Sequence, residues 1–212
     1  MDGMVLIFGC ASDPLSPDRS DHYWHMTGNF MNNDGCPNNT MFWPLPGSRQ
    51  LPVGTGFLVS GSTPYHRLAV CTHYHDHLGM RYGNVTKQRI GAVMDVVAAS
   101  QSHGINAAGA FDLVKESGSI PAHSVTTLTA KHTFRKDNIK INAFASSVHT
   151  HQLGMRVRAW LTKADGRVEE LDDIASNGTV AGGVRHTVIE TGDTVSVSCT
   201  YNNTNSKDVI VG

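Results

Sequence analysis

The chain has 212 residues, 40 % of them apolar and 17 % charged, with a formal net charge of -1. That balance belongs to a globular protein rather than a disordered one, and it makes no electrostatic case for binding nucleic acid or an anionic membrane. No apolar run approaches the roughly 20 residues of a helical membrane span, and Met1–Cys10 lacks the basic start of a signal peptide.

In chain order, short runs rich in Val, Ile, Thr and aromatic residues alternate with Gly, Pro, Asn and Asp clusters, which predicts an all-β protein. Strands are expected at Val5–Phe8, Thr55–Val59 and Arg67–Tyr74. Pro14–Trp43 is polar and turn-rich, so a structured loop is expected there. Gly91–Ser100 has helical composition, yet its Val93–Val97 core alternates well enough for a strand. Further strands are expected at Ile139–Phe144, Met155–Thr162, His186–Glu190 and Thr194–Tyr201. Ala164-Asp165-Gly166-Arg167 is a tight-turn signal that makes 155–162 and 167–171 a hairpin. Gly192-Asp193 introduces the strand that ends at Tyr201. A composition break at Gly83–Arg89 predicts two β units, 1–88 and 89–212, each of packed sheets.

The chain carries twelve histidines and four cysteines, Cys10, Cys36, Cys71 and Cys199, with no C-x-x-C among them. A zinc ribbon is therefore not expected. In an oxidising compartment Cys10 with Cys36 is the expected disulfide, closing the polar loop between them. Sequons at Asn38, Asn84, Asn177 and Asn202 permit a secreted protein without requiring one.

Two histidine clusters carry the chemistry. Within Phe144–Gly154, an apolar run expected to be a strand, His149 and His151 lie two residues apart. Side chains alternate along a strand, so both belong to one face and can converge on one metal ion. Imidazole suits copper, zinc, iron and nickel alike, so the pair alone does not name the metal. The second cluster, Thr72-His73-Tyr74-His75-Asp76-His77, follows Leu68–Cys71. His73 is expected close to the strand body, with His75 and His77 in the following turn.

Five segments in order resemble the copper type II, ascorbate-dependent monooxygenases, the family of peptidylglycine α-hydroxylating monooxygenase and dopamine β-monooxygenase. Met4–Cys10 resembles the segment after the family's His-His pair, and Leu51–Phe57 resembles the start of its next strand. Cys71-Thr72-His73-Tyr74-His75 resembles a copper-ligand motif. Val148-His149-Thr150-His151 resembles the motif of the second copper. Ser198-Cys199-Thr200-Tyr201-Asn202 resembles the segment before the last ligand, a methionine. Cupins and α-carbonic anhydrases fit less well: Gly154 and Met155 stand where a cupin has glutamate, and His186 lies in an unmatched context.

The resemblance implies two antiparallel, jelly-roll-like β-sandwich domains, the first incomplete, and two coppers per intact enzyme. His73 corresponds to a ligand of the electron-relay copper, and His149 and His151 to ligands of the catalytic copper. It implies ascorbate as reductant, a small-molecule or peptide substrate hydroxylated at a C–H bond with O2, and a secretory-pathway location. Where the family has two adjacent histidines before Met4, this chain has Asp2-Gly3. The methionine ligand is expected beyond Gly212. The resemblance therefore implies part of a longer enzyme, with weak copper binding and negligible turnover in isolation. The peptide-hydroxylating members carry an arginine where this chain has Ser147, which cannot grip a carboxylate in bidentate fashion. The alternative reading is a catalytically inactive β-sandwich that binds copper or a partner. A structural or adhesive secreted sandwich with incidental histidines is a third.

Overall fold

The computed structural model describes residues 2–10, 40–43, 51–59, 67–75, 94–98, 101, 103–113, 117–150, 153–175, 179–181 and 186–211. Among them there is no α-helix, so the chain is all-β as expected. It divides into two compact units, Met1–Phe111 and Asp112–Gly212. The expected break at Gly83–Arg89 lies outside the described residues.

In the first unit, β1 (Asp2–Cys10) is the centre of an antiparallel sheet between β2 (Thr40–Trp43) and β4 (Arg67–His75). The β1–β4 register runs unshifted from Asp2 opposite His75 to Cys10 opposite Arg67. β2 meets β1 only at Ile7–Gly9, so the start of β1 has β4 as its described partner. β3 (Thr55–Gly56) and β5 (Asn106–Ala107) form a short parallel pair. The expected strand at 55–59 is therefore shorter than its composition suggests.

The valine-rich stretch departs from expectation. Residues 94–98 form no strand, and Val96 is 84 % exposed. β-propensity reflects a fit to a pleated, half-buried surface, and no strand pairs with this segment among the described residues.

The second unit is built on a four-stranded antiparallel sheet. Its order is β11 (Val168–Ile174), β10 (Gly154–Thr162), β14 (Thr194–Asn203) and β7 (Ser124–Thr133). Three two-stranded ribbons complete it. β6 (Gly118–Ile120) pairs with β15 (Val209–Val211), β8 (Lys140–Ala143) with β13 (Thr187–Glu190), and β9 (Ser147–His149) with β12 (Thr179–Ala181).

Leu161 on β10 and Val195 on β14 form the core with Ile189 on β13 and Phe134, and Ile141 on β8 packs against them. The β8–β13 ribbon thus lies on the large sheet, giving the two layers of a sandwich.

The hairpin between β10 and β11 forms as expected, with Gly166 at φ 89° in its turn. Gly192, at φ 92°, turns the chain into β14, and a Cβ there would meet that of Ala164 at 3.0 Å. Both positions need the left-handed conformation that glycine adopts without strain.

Candidate metal centre

The expected long strand through the His-Thr-His motif is shorter than its sequence suggests. β9 ends at His149, Thr150 is outside it, and the next strand starts at Gly154. Across β9 and β12, Ser147 faces Ala181, Val148 faces Val180 and His149 faces Thr179. Val148 is 7 % exposed and Thr150 3 %, so the core positions of this segment are those that alternate with the two histidines. His151 lies outside the described residues.

The segment is anchored on both sides. Before it, the Ser146 hydroxyl donates to the carboxylate of Asp172, which is buried on β11. Asp172 sits at a bulge. Ala159 pairs with Asp172 and Trp160 with Glu170, leaving Leu171 as the extra residue. Two consecutive residues opposite one interrupt the alternation of faces. After the motif, the Asn202 amide donates to the Leu153 carbonyl at 2.8 Å, and Gly154 pairs with Tyr201 on β14.

The sequence alone did not single out Asp172. Its only signal was Asp172-Asp173 at the end of a predicted strand, a place where an acidic pair is ordinarily solvated. Asp173 fits that description, since it is on the exposed face and binds Arg156 and Arg158.

In the first unit β4 extends through His75, which corrects the expectation that this residue falls in the turn. His73 is paired with Met4 and His75 with Asp2. Asp76 and His77 lie outside the described residues.

Cys10 is fully buried and disulfide-bonded. Cys36 lies outside the described residues, so its expected pairing with Cys10 does too. Cys199 is a free, half-buried thiol whose neighbour on the same strand face is Tyr201. Burial pushes the Cys199 thiol above its ordinary range, and a hydrogen bond from Tyr201 partly opposes this. Burial likewise pushes the Tyr201 phenol up to about 12. Met155 is 48 % exposed, at the bulge where β10 meets β14.

Among residues whose side chains are described, no three of His, Cys, Asp and Glu converge as a metal-binding group. The donor chemistry of the His149–His151 motif nonetheless fits copper, because imidazoles accommodate both of its oxidation states. Among the described residues no helix is long and apolar enough to cross a membrane, which says nothing of a β-barrel.

A comparison with curated proteins finds no match. Residues 106–212 match the family model of the copper type II ascorbate-dependent monooxygenase C-terminal domain. That span covers half of the chain, contains His149 and His151, and begins at β5. The chain belongs to the copper type II ascorbate-dependent monooxygenases.

Proposed function

We propose that this protein serves a copper- and ascorbate-dependent hydroxylation of a C–H bond in a small amine or peptide. One atom of O2 enters the C–H bond and the other leaves as water, with two electrons supplied by ascorbate. His149 and His151 hold the copper of the second unit, and His73 is a ligand of a copper in the first. Copper bound at the second unit supplies dioxygen activation and one-electron redox cycling. The chain's own contribution is to hold the two imidazoles at fixed spacing and to seat the reacting C–H bond beside them.

The observation that carries this reading is the position of His149. It ends a strand inside the matched domain, between buried Val148 and Thr150, in a segment tied to β11 on one side and β14 on the other. Ser147, half-buried and opposite Ala181, has no charge to grip a peptide carboxylate. An amine substrate and a peptide held by other groups are both compatible with it.

Secretion, with a Cys10–Cys36 bridge, is part of the same proposal. It is supported by the disulfide-bonded state of Cys10, because such bridges persist in oxidising compartments.

The test is copper titration of the full chain followed by EPR, in parallel with the His149→Ala/His151→Ala variant. Loss of a type 2 signal with imidazole nitrogen coupling in the variant supports the assignment. Copper bound with unchanged stoichiometry and spectrum in the variant overturns it. Copper that binds at His149 and His151 without ascorbate-driven oxygen consumption by the full chain favours the non-catalytic copper-binding reading.

A further inference from the structure

Two adjacent asparagines at the end of β14, Asn202 and Asn203, face opposite ways. Val195 and Cys199 on β14 oppose the buried Leu161 and Val157 of β10, so the odd-numbered positions of β14 face the core. Side chains alternate along a strand, so Ser198, Thr200 and Asn202 belong to the outer face. There the Thr200 and Thr127 hydroxyls share a hydrogen bond of 3.0 Å across β14 and β7. Arg156 and Arg158, opposite Thr200 and Ser198, are each exposed on the same side.

Asn203 faces inward and is 0 % exposed. Its side-chain amide donates to the carbonyls of Ile120, Pro121 and Lys207 at 3.0, 3.1 and 2.9 Å. Its Oδ1 accepts from the Asn205 amide at 3.1 Å. These bonds fix the turn after β14, in which Thr204–Asp208 are exposed.

Asn202 faces outward, opposite Val125 of β7, which is 64 % exposed. Its backbone amide donates to the Leu153 carbonyl, but among the described residues its carboxamide has no hydrogen-bond partner. Asn202-Asn203-Thr204 is a sequon. Its acceptor amide is thus uncommitted and outward, its middle residue anchors the turn, and its hydroxyl residue lies on the surface. The other sequons, at Asn38, Asn84 and Asn177, lie outside the described residues.

We propose that Asn202 is an N-glycosylation site. The co-reactant is a lipid-pyrophosphate-linked oligosaccharide. The bond between the sugar C1 and the pyrophosphate oxygen breaks, C1 bonds to Asn202 Nδ2, and the amide gives up one proton as the lipid pyrophosphate leaves. The fold accepts the product, because a bulky hydrophilic group at this position displaces no core contact. It also covers the exposed Val125 and crowds β7, the last strand of its sheet among the described residues. Such edges need protection from pairing with other chains. The inference rests on the secretory part of the proposed function, since the donor resides in that compartment.

The test directs the full chain into the secretory lumen of cultured animal cells behind an added, cleavable signal peptide. The purified protein is treated with peptide-N-glycosidase in heavy-oxygen water, which turns a glycosylated asparagine into labelled aspartate. Peptide mapping should find the label at Asn202 in most chains. Thr204→Ala should abolish it and Thr204→Ser should retain it, both at an exposed turn position where the fold is not at stake.

Folded, secreted protein without the label at Asn202 overturns this inference and leaves the secretory reading standing. A label at Asn202 that survives Thr204→Ala also overturns it, because the modification would then not use the sequon. Protein drawn from the cells that normally make it, with Cys10 reduced and all four sequons bare, overturns the secretory reading and this inference together.

Discussion

The hydroxyl of Ser146 donates a hydrogen bond to the buried carboxylate of Asp172, joining the residue before β9 to the bulge of β11. A carboxylate that is 5 % exposed persists only with donors around it, so the bond constrains both partners. Ser146 lies three residues before His149, and the far side of the motif is held by Leu153 and Asn202. Asp172→Ala is therefore expected to cost the second unit about 1–3 kcal/mol and to lower copper affinity at the motif about tenfold. Asp172→Asn keeps an acceptor for Ser146 and should recover most of both. Unaltered copper affinity and unfolding midpoint in Asp172→Ala would show that the bond positions nothing.

The opposite end of β10 is held by Lys163 and Asp193. The ammonium lies 2.6 Å from Asp193, which is 1 % exposed and also accepts from the amides of Ala164 at 2.9 Å and Glu190 at 2.8 Å. Burial pushes the Asp193 carboxyl up, but the Lys163 ammonium and the two amides outweigh it and hold it below the usual 3.8. A lowered folded value means that the contribution is present above 3.8 and disappears as pH falls through the folded value. Lys163 is raised by the same bond, so its contribution is present below 10.5 and disappears as pH rises through the folded value. Asp193→Ala should cost on the order of 3 kcal/mol near neutral pH and flatten the acid limb of the stability curve. Melting curves across the acid range, with an acid limb identical to that of the parent, would refute the assignment.

The contrast between legible and hidden elements has a physical pattern. β10 and β14 were legible because Val157, Leu161 and Val195 supply a buried apolar period on each side of Gly166 and Gly192. β7 was not, although it is ten residues long. It is the last strand of its sheet, and its alternation is carried by Thr126, Leu128 and Ala130 against Thr127, Thr129 and Lys131. Nearly every one of these is small or polar, so pairing with β14 rather than composition makes it a strand. His75 reads as a turn residue because it lies beyond the apolar body of the strand, Leu68–Cys71, whereas in the fold it still pairs with Asp2 at the end of β4. The His-Thr-His motif was legible as chemistry but not as architecture. Its ties to Asp172 and Asn202 are contacts between distant segments that local spacing does not encode.

Leu161 is fully buried between β13 and the large sheet, in contact with Phe134, Ile189 and Val195. Leu161→Ala should destabilise the second unit by about 2–5 kcal/mol through lost burial and the cavity left behind. A denaturant titration that shows a loss below about 1 kcal/mol would mean that the two layers do not share this core.

Cys199 and Tyr201 occupy one face of β14, and the phenol donates to the thiol, opposing the effect of burial on Cys199. The thiolate is the nucleophile in alkylation, so a thiol raised by burial reacts slowly at neutral pH. Iodoacetamide labelling followed by peptide mapping should find Cys199 modified more slowly than a solvated cysteine. Tyr201→Phe removes the opposing hydrogen bond and should slow labelling further, because the thiolate fraction falls about tenfold per unit of pKa. The phenol supplies a second readout. Its neutral form is favoured by folding, so its contribution to stability is present below 10 and is lost as pH rises through about 12. Absorbance titration of the parent should contain a tyrosine step near 12 that Tyr201→Phe lacks. Faster labelling in Tyr201→Phe would mean that the phenol shields the thiol sterically rather than stabilising its thiolate, and a parent protein without the late step would place Tyr201 in solvent.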